Sequence, residues 1–202
     1  MYSGYSVPVC TWYLATTPIA HLTSGEAECT LLQCGAMSAT GIVADPELTA
    51  AIAEATWYAV TTLHEAHGSD FYQYSLCTTG EALRPYLSAT KPGMDWWDLF
   101  DGPFALWGEE YMSKLHDVFD ARWNPHRLDA DYDAYCDARY RSMEETLKQL
   151  DSEGLFGTGE KRKKTLIGVL VVPPDATNTE QMIRLNPPGE LLDRWLDECD
   201  ES

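Results

Sequence analysis

Apolar residues along the chain follow two different periods. After Asp45-Pro46-Glu47, the residues Leu48, Ile52, Ala55, Ala59 and Leu63 recur three or four positions apart, which predicts an amphipathic helix running to about His67. Both of its ends are marked. Asp45 suits the N-cap, Pro46 the first helical position and Glu47 the positive end of the helix dipole, while Gly68 stops the helix. "DFYQYSLCTT" then alternates, with Tyr72, Tyr74 and Leu76 on one side, as a strand does. Thr79-Gly80 turns the chain, and "LRPYLSA" predicts a second strand, placed at a sheet edge by Pro85. Tyr111, Met112, Leu115, Val118 and Phe119 predict a helix from Glu109 to about Trp123. Beyond the "NPHR" break, Asp129 opens a long helix marked by Tyr132, Cys136, Met143, Leu147 and Leu150. Leu166 to Val172 is a short β-branched run, hence a strand. "PPDATNTEQ" reads as a loop and "MIRLNPP" as a short strand or helical turn. Glu190 to Glu198 reads as a terminal helix with Leu191, Leu192 and Trp195 apolar. Helices mixed with few strands, without regular βαβ alternation, predict an α+β fold: a small, mostly antiparallel sheet packed against several helices.

Residues 1–44 show no sustained helical period and no basic residue, and "SVPVCTWYLA" and "ECTLLQC" are their two candidate strands. They are read as an N-terminal extension, either non-native or poorly ordered, ahead of a single domain at 45–202. Met37 is the expected native start, and recovery of endogenous peptides from residues 1–36 would refute it.

Charge narrows the function. The 202 residues carry a net charge of −18, and eight acids precede Arg84, the first basic residue. Nucleic acid is excluded as a partner, because phosphate contacts need clustered Lys and Arg. A basic protein, steered inward by the acidic field, is the partner class that fits. The N-terminus lacks the positive region of a signal peptide, and no apolar run approaches the ~20 residues of a membrane helix. Six cysteines without a C-x-x-C pair read as reduced thiols. Together these place the chain in the cytoplasm, away from membranes.

Motifs that promise chemistry fall short of it. "GLFGTGEKRKK" has the glycine spacing of a P-loop at Gly154 and Gly159. Glu160, however, stands where the lysine belongs, and the element order is helix, loop, strand. Gly154 reads instead as the glycine that ends a helix. "HEAH" places His64 and His67 three apart, one short of a zinc-binding H-E-x-x-H, so both read as last-turn residues at the negative end of the dipole. "DADYDAYCD" starts like a calcium loop but has Ala134 at the sixth position and Tyr140 at the twelfth. No catalytic, metal or cofactor set is expected. The candidate partner-binding residues are Trp96, Trp97, Asp98, Phe100 and Asp101 in "DWWDLFD", where aromatics lie among acids as in an interface hot spot, with Asp129, Asp131 and Asp133 as an acidic patch.

In order along the chain, "FYQYSLCTT", "LW" leading into "EEYM", "LKQLDSEGLFG" and "IRLNP" before a final helix resemble a bacterial domain-of-unknown-function family, the one numbered four-three-zero-three. The resemblance covers about residues 46–198, with "LDSEGLFG" and "RLNP" its most specific parts; the "WWD" loop looks inserted. Some members lie near polymorphic-toxin loci and are regarded as candidate immunity proteins. The resemblance therefore implies a toxin-neutralising binding protein, and it brings no catalytic residue. The alternative is a small hydrolase or ligand-binding enzyme whose carboxylates and histidines are assembled by the fold.

Overall fold

Helix α1 (Pro46–His67) begins where its cap requires. The Asp45 carboxylate accepts from the N–H groups of Glu47 and Leu48 at 3.0 and 3.1 Å, donors that have no partner inside the helix. The helix ends at Gly68, whose N–H donates to the His64 carbonyl. These features come from a computed structural model, which describes residues 43–96, 98–122 and 132–199. All of them fall in one compact unit, Thr40–Ser202. The candidate strands "SVPVCTWYLA" and "ECTLLQC", the "NPHR" break and the expected start at Asp129 lie outside the described residues.

Strands β1 (Gln73–Thr78), β2 (Tyr86–Thr90) and β3 (Leu166–Val171) form a sheet in the order β2-β1-β3. The fold is α+β as expected, and its sheet is mixed. β1 pairs antiparallel with β2 and parallel with β3, which returns beside it after the long helix α5 (Tyr132–Ser152). Side chains alternate across the sheet. Tyr74, Leu76, Leu87, Ala89, Ile167 and Val169 join the core made with α1 and α5. On the other face Cys77, Leu166 and Leu170 pack with α6 (Ala176–Leu185), α7 (Glu190–Cys199) and Trp96. The sheet is thus covered on both sides. Cys77, Cys136 and Cys199 are buried and form no disulfide, and no helix among the described residues is long and apolar enough to cross a membrane.

Four expectations need correction, the first being that Tyr72 shares a side with Tyr74 and Leu76: it packs with Trp96 on the other face of the sheet. The "PPDATNTEQ" loop ends early, because Asp175 caps α6 by accepting from the Thr177 N–H at 2.8 Å. Helix Glu109–Trp123 is broken into α3 (Glu109–Met112) and α4 (Leu115–Asp120), since the N–H groups of Lys114 and His116 reach carbonyls three residues back. The "DWWDLFD" stretch contains a short helix, α2 (Asp98–Asp101).

Among the described residues, both borders of the sheet are closed without a further strand. Along β3, the Asn178 side-chain amide accepts from the Val171 N–H at 2.6 Å and donates to its carbonyl at 3.1 Å. The Asn186 amide accepts from the Ile167 N–H at 2.9 Å and donates to the carbonyls of Ile167 and Met182 at 2.7 and 3.0 Å. Along β2, the Trp107 N–H donates to the Leu87 carbonyl at 3.0 Å and the Ala89 N–H to the Phe104 carbonyl at 3.4 Å.

"GLFGTGEKRKK" is the connector from α5 to β3. Gly154, at φ 84°, donates to the Asp151 carbonyl while the Leu155 N–H reaches the Leu150 carbonyl, the paired bonds of a glycine-terminated helix. The basic run forms a 3₁₀ turn, Arg162–Lys164, and Arg162 ties Asp151 on α5 to the carbonyls of Thr165 and Leu185. Glu144, wholly buried, accepts from Arg141 and Arg184 and so links α5 to α6.

Arg122 closes onto the cap of α1, its Nε 2.6 Å from Asp45 Oδ2 and its guanidinium 2.8 Å from Glu47 Oε2. Hydrogen bonding to Arg122 holds the Asp45 carboxyl below its ordinary value. A carboxyl whose folded pKa is depressed stabilises the fold above its unfolded pKa and loses that contribution as pH falls through the folded one. Asp45→Asn keeps the capping oxygen and removes the charge. At pH 7 it should cost about 0.5–1 kcal/mol, as partly exposed pairs do. In urea unfolding near about pH 2 the two proteins should be equally stable.

Candidate functional site

The expected partner-binding residues are distributed unevenly over the fold. Trp96 is 4 % exposed. Its ring meets Tyr72 edge-on at 4.7 Å, carries the Arg194 guanidinium at 5.2 Å and donates its indole N–H to Glu198. Trp96 is therefore a core residue, held by the aromatic and ionic partners that α7 and the start of β1 supply. Phe100 is partly buried against the same core. The Asp98 carboxylate accepts from the Asp95 N–H at 2.9 Å. Asp101 is exposed, and Asp133 is exposed in the first turn of α5. Trp97, Asp129 and Asp131 lie outside the described residues.

The "HEAH" histidines serve the end of α1. His64 Nε2 lies 2.7 Å from the Tyr74 hydroxyl, and burial, reinforced by Lys161, holds the imidazole below its ordinary pKa. His67 packs edge-on against Phe104 and Trp107 at 5.1 and 5.0 Å. Among the described residues no group of three or more His, Cys, Asp or Glu side chains is placed to hold a metal.

Two hollows, of about 680 and 560 Å³, share Lys164, Leu191 and Arg194 and make a groove beside α7. Tyr72, Met94 and Leu192 supply apolar wall, and Asp95, Glu190 and Glu198 offset its cations.

Among the described residues, the most exposed aromatic surface lies on α1. Trp57 and Tyr58 are each 44 % exposed. Tyr58 stacks on Tyr111 of α3 with ring centres 5.5 Å apart and planes 16° off parallel, and Trp57 meets Tyr58 edge-on at 5.2 Å. Lys114 Nζ sits 5.4 Å from the centre of the Tyr111 ring. Exposed acids frame the group: Glu54 and Glu65 on the same helix, Glu109 and Glu110 on α3. Glu54 and Glu65 stand four before and seven after Tyr58, so all three share one helical line. α3 reaches α1 at Gly108, where a Cβ would fall 2.5 Å from the Cβ of Ala59, the residue after Tyr58. These exposed aromatics escaped the sequence reading, which followed only the buried stripe. The signal was available: Trp57 falls on the side of α1 opposite Leu48, Ile52, Ala55 and Ala59, where a solvated helix should be polar.

No curated protein and no solved structure matches the chain. A family model does match, over residues 96–187. That span holds "EEYM", "LDSEGLFG" and "RLNP" and leaves out α1, β1, β2 and α7. The family is described as a domain of unknown function, DUF4303, and the similarity to it is confined to residues 96–187.

Proposed function

We propose that this protein is a non-enzymatic binding module that neutralises or scaffolds a basic protein, such as a toxin. The observation that carries the reading is the α1–α3 face, where Trp57, Tyr58 and Tyr111 are framed by Glu54, Glu65, Glu109 and Glu110. Rings supply contact area at little entropic cost, and carboxylates at the rim steer a cationic partner and reject anionic ones. The net charge of −18 extends that steering beyond the face itself. An inhibitor of this kind occludes a basic active site by complementarity alone.

Co-expression with the product of the neighbouring gene tests the reading. The neighbour should arrest growth alone and be tolerated with this protein. Tolerance should be lost when Glu54, Glu65 and Glu110 are all changed to Lys. A neighbour harmless by itself would count against toxin neutralisation. A second reading, a ligand-binding enzyme or hydrolase acting through carboxylates, has the groove beside α7 in its favour, since its size suits a small molecule. Turnover that disappears with Glu190→Gln or Glu198→Gln would establish that reading instead.

A further inference from the structure

We infer that the α1–α3 face reads arginine: its occupant is an arginine-bearing segment of the basic partner, with guanidinium groups stacked on the rings of Trp57, Tyr58 and Tyr111 and paired to Glu54 and Glu110. The inference rests on the basic-partner reading above and adds the chemistry of recognition. An ion pair alone does not separate arginine from lysine. Exposed rings do, because guanidinium is planar and weakly hydrated and stacks on an aromatic face, whereas ammonium keeps its water. A carboxylate beside the ring then accepts two N–H bonds from the guanidinium fork.

The face has both parts, and its rings already hold a cation. Tyr111 is stacked on Tyr58 on one side and has Lys114 Nζ 5.4 Å from its ring centre. No carboxylate partner holds Lys114 among the described residues, in contrast to Arg84, which is paired with Glu109 at 2.9 Å. Lys114 is therefore an internal competitor for the ring and a positive charge at the mouth of the site. α1 itself contributes no Lys or Arg, since none occurs before Arg84. The attraction that an incoming cation meets along α1 comes from Glu54 and Glu65, with Lys114 opposing it.

The test uses the full-length chain with nona-arginine and nona-lysine peptides, equal in charge, in calorimetric titrations at fixed salt. Nona-arginine should bind about fivefold more tightly than nona-lysine, the size expected of stacking at a partly exposed site. Trp57→Ala with Tyr58→Ala should abolish that preference while leaving nona-lysine affinity nearly unchanged, and Trp57→Phe, which keeps a ring, should retain it. Lys114→Met should tighten nona-arginine about two- to threefold by freeing the Tyr111 ring. Equal affinities for the two peptides, or a preference that survives loss of both rings, would overturn the inference. If the peptides bind equally and changing Glu54, Glu65 and Glu110 to Lys weakens both, the basic-partner reading stands without it. If neither peptide binds, both fall.

Discussion

Asn186→Asp should destabilise the domain by about 3–5 kcal/mol, with a melting temperature lower by about 10 °C. The substitution keeps the shape and the acceptor that serves the Ile167 N–H. It removes the donor held by two carbonyls, those of Ile167 and Met182, in a site only 6 % exposed. Each orphaned buried carbonyl costs about 1–3 kcal/mol, and the new carboxyl must be buried beside both. The pH dependence identifies the cause. A buried aspartate has a folded pKa above its unfolded one, so its penalty is full at pH 7 and shrinks as pH falls toward the unfolded pKa. Urea unfolding of the variant at pH 7 and at about pH 4, near the ordinary aspartate value, provides the check. A deficit below about 1 kcal/mol at pH 7 would mean that the amide does not seal the edge of β3.

Gly108→Val should cost about 2–5 kcal/mol and disturb the binding face at the same time. The residue has φ 70°, a conformation that a β-branched side chain resists. Its Cβ would lie 2.5 Å from Ala59 Cβ and 3.0 Å from Ala59 Cα, on helix backbone that cannot swing aside. Relief requires α3 to move off α1, which separates Tyr111 from Tyr58. Ala59→Gly combined with Gly108→Ala isolates the contact. The pair should be more stable than the sum of the two single losses by about 1 kcal/mol, leaving the cost of the backbone conformation. Stability restored by Ala59→Gly without restored nona-arginine preference would separate the packing role of Gly108 from its role at the face.

Local rules made much of the fold legible. α1 runs from Asp45 to Gly68 because a carboxylate cap, a proline and a glycine each act within one turn of chain. Gly154 ends α5 for the same kind of reason. α6 was hidden because half of its buried face is amide: Asn178 and Gln181 stand beside Met182 and Leu185, and Asn178 faces strand backbone that no local pattern announces. The parallel pairing of β1 with β3 is equally non-local. For the site, adjacent tryptophans among acids drew the reading to residues 96–101, yet whether a ring is exposed depends on what packs over it. Arg194, Glu198 and Tyr72 cover Trp96 from distant parts of the chain, while Trp57 lies on the solvent side of its helix.

The closed borders of the sheet limit how the described part of this protein can recognise a partner. Many domains capture a flexible peptide by letting it lie down as one more ribbon along free backbone, reading main-chain geometry more than sequence. Here asparagine amides occupy one flank and residues 104–107 the other, so that route is shut. Recognition through the described part of the molecule falls to side chains on helix exteriors, where a few substitutions can change the partner without touching the scaffold.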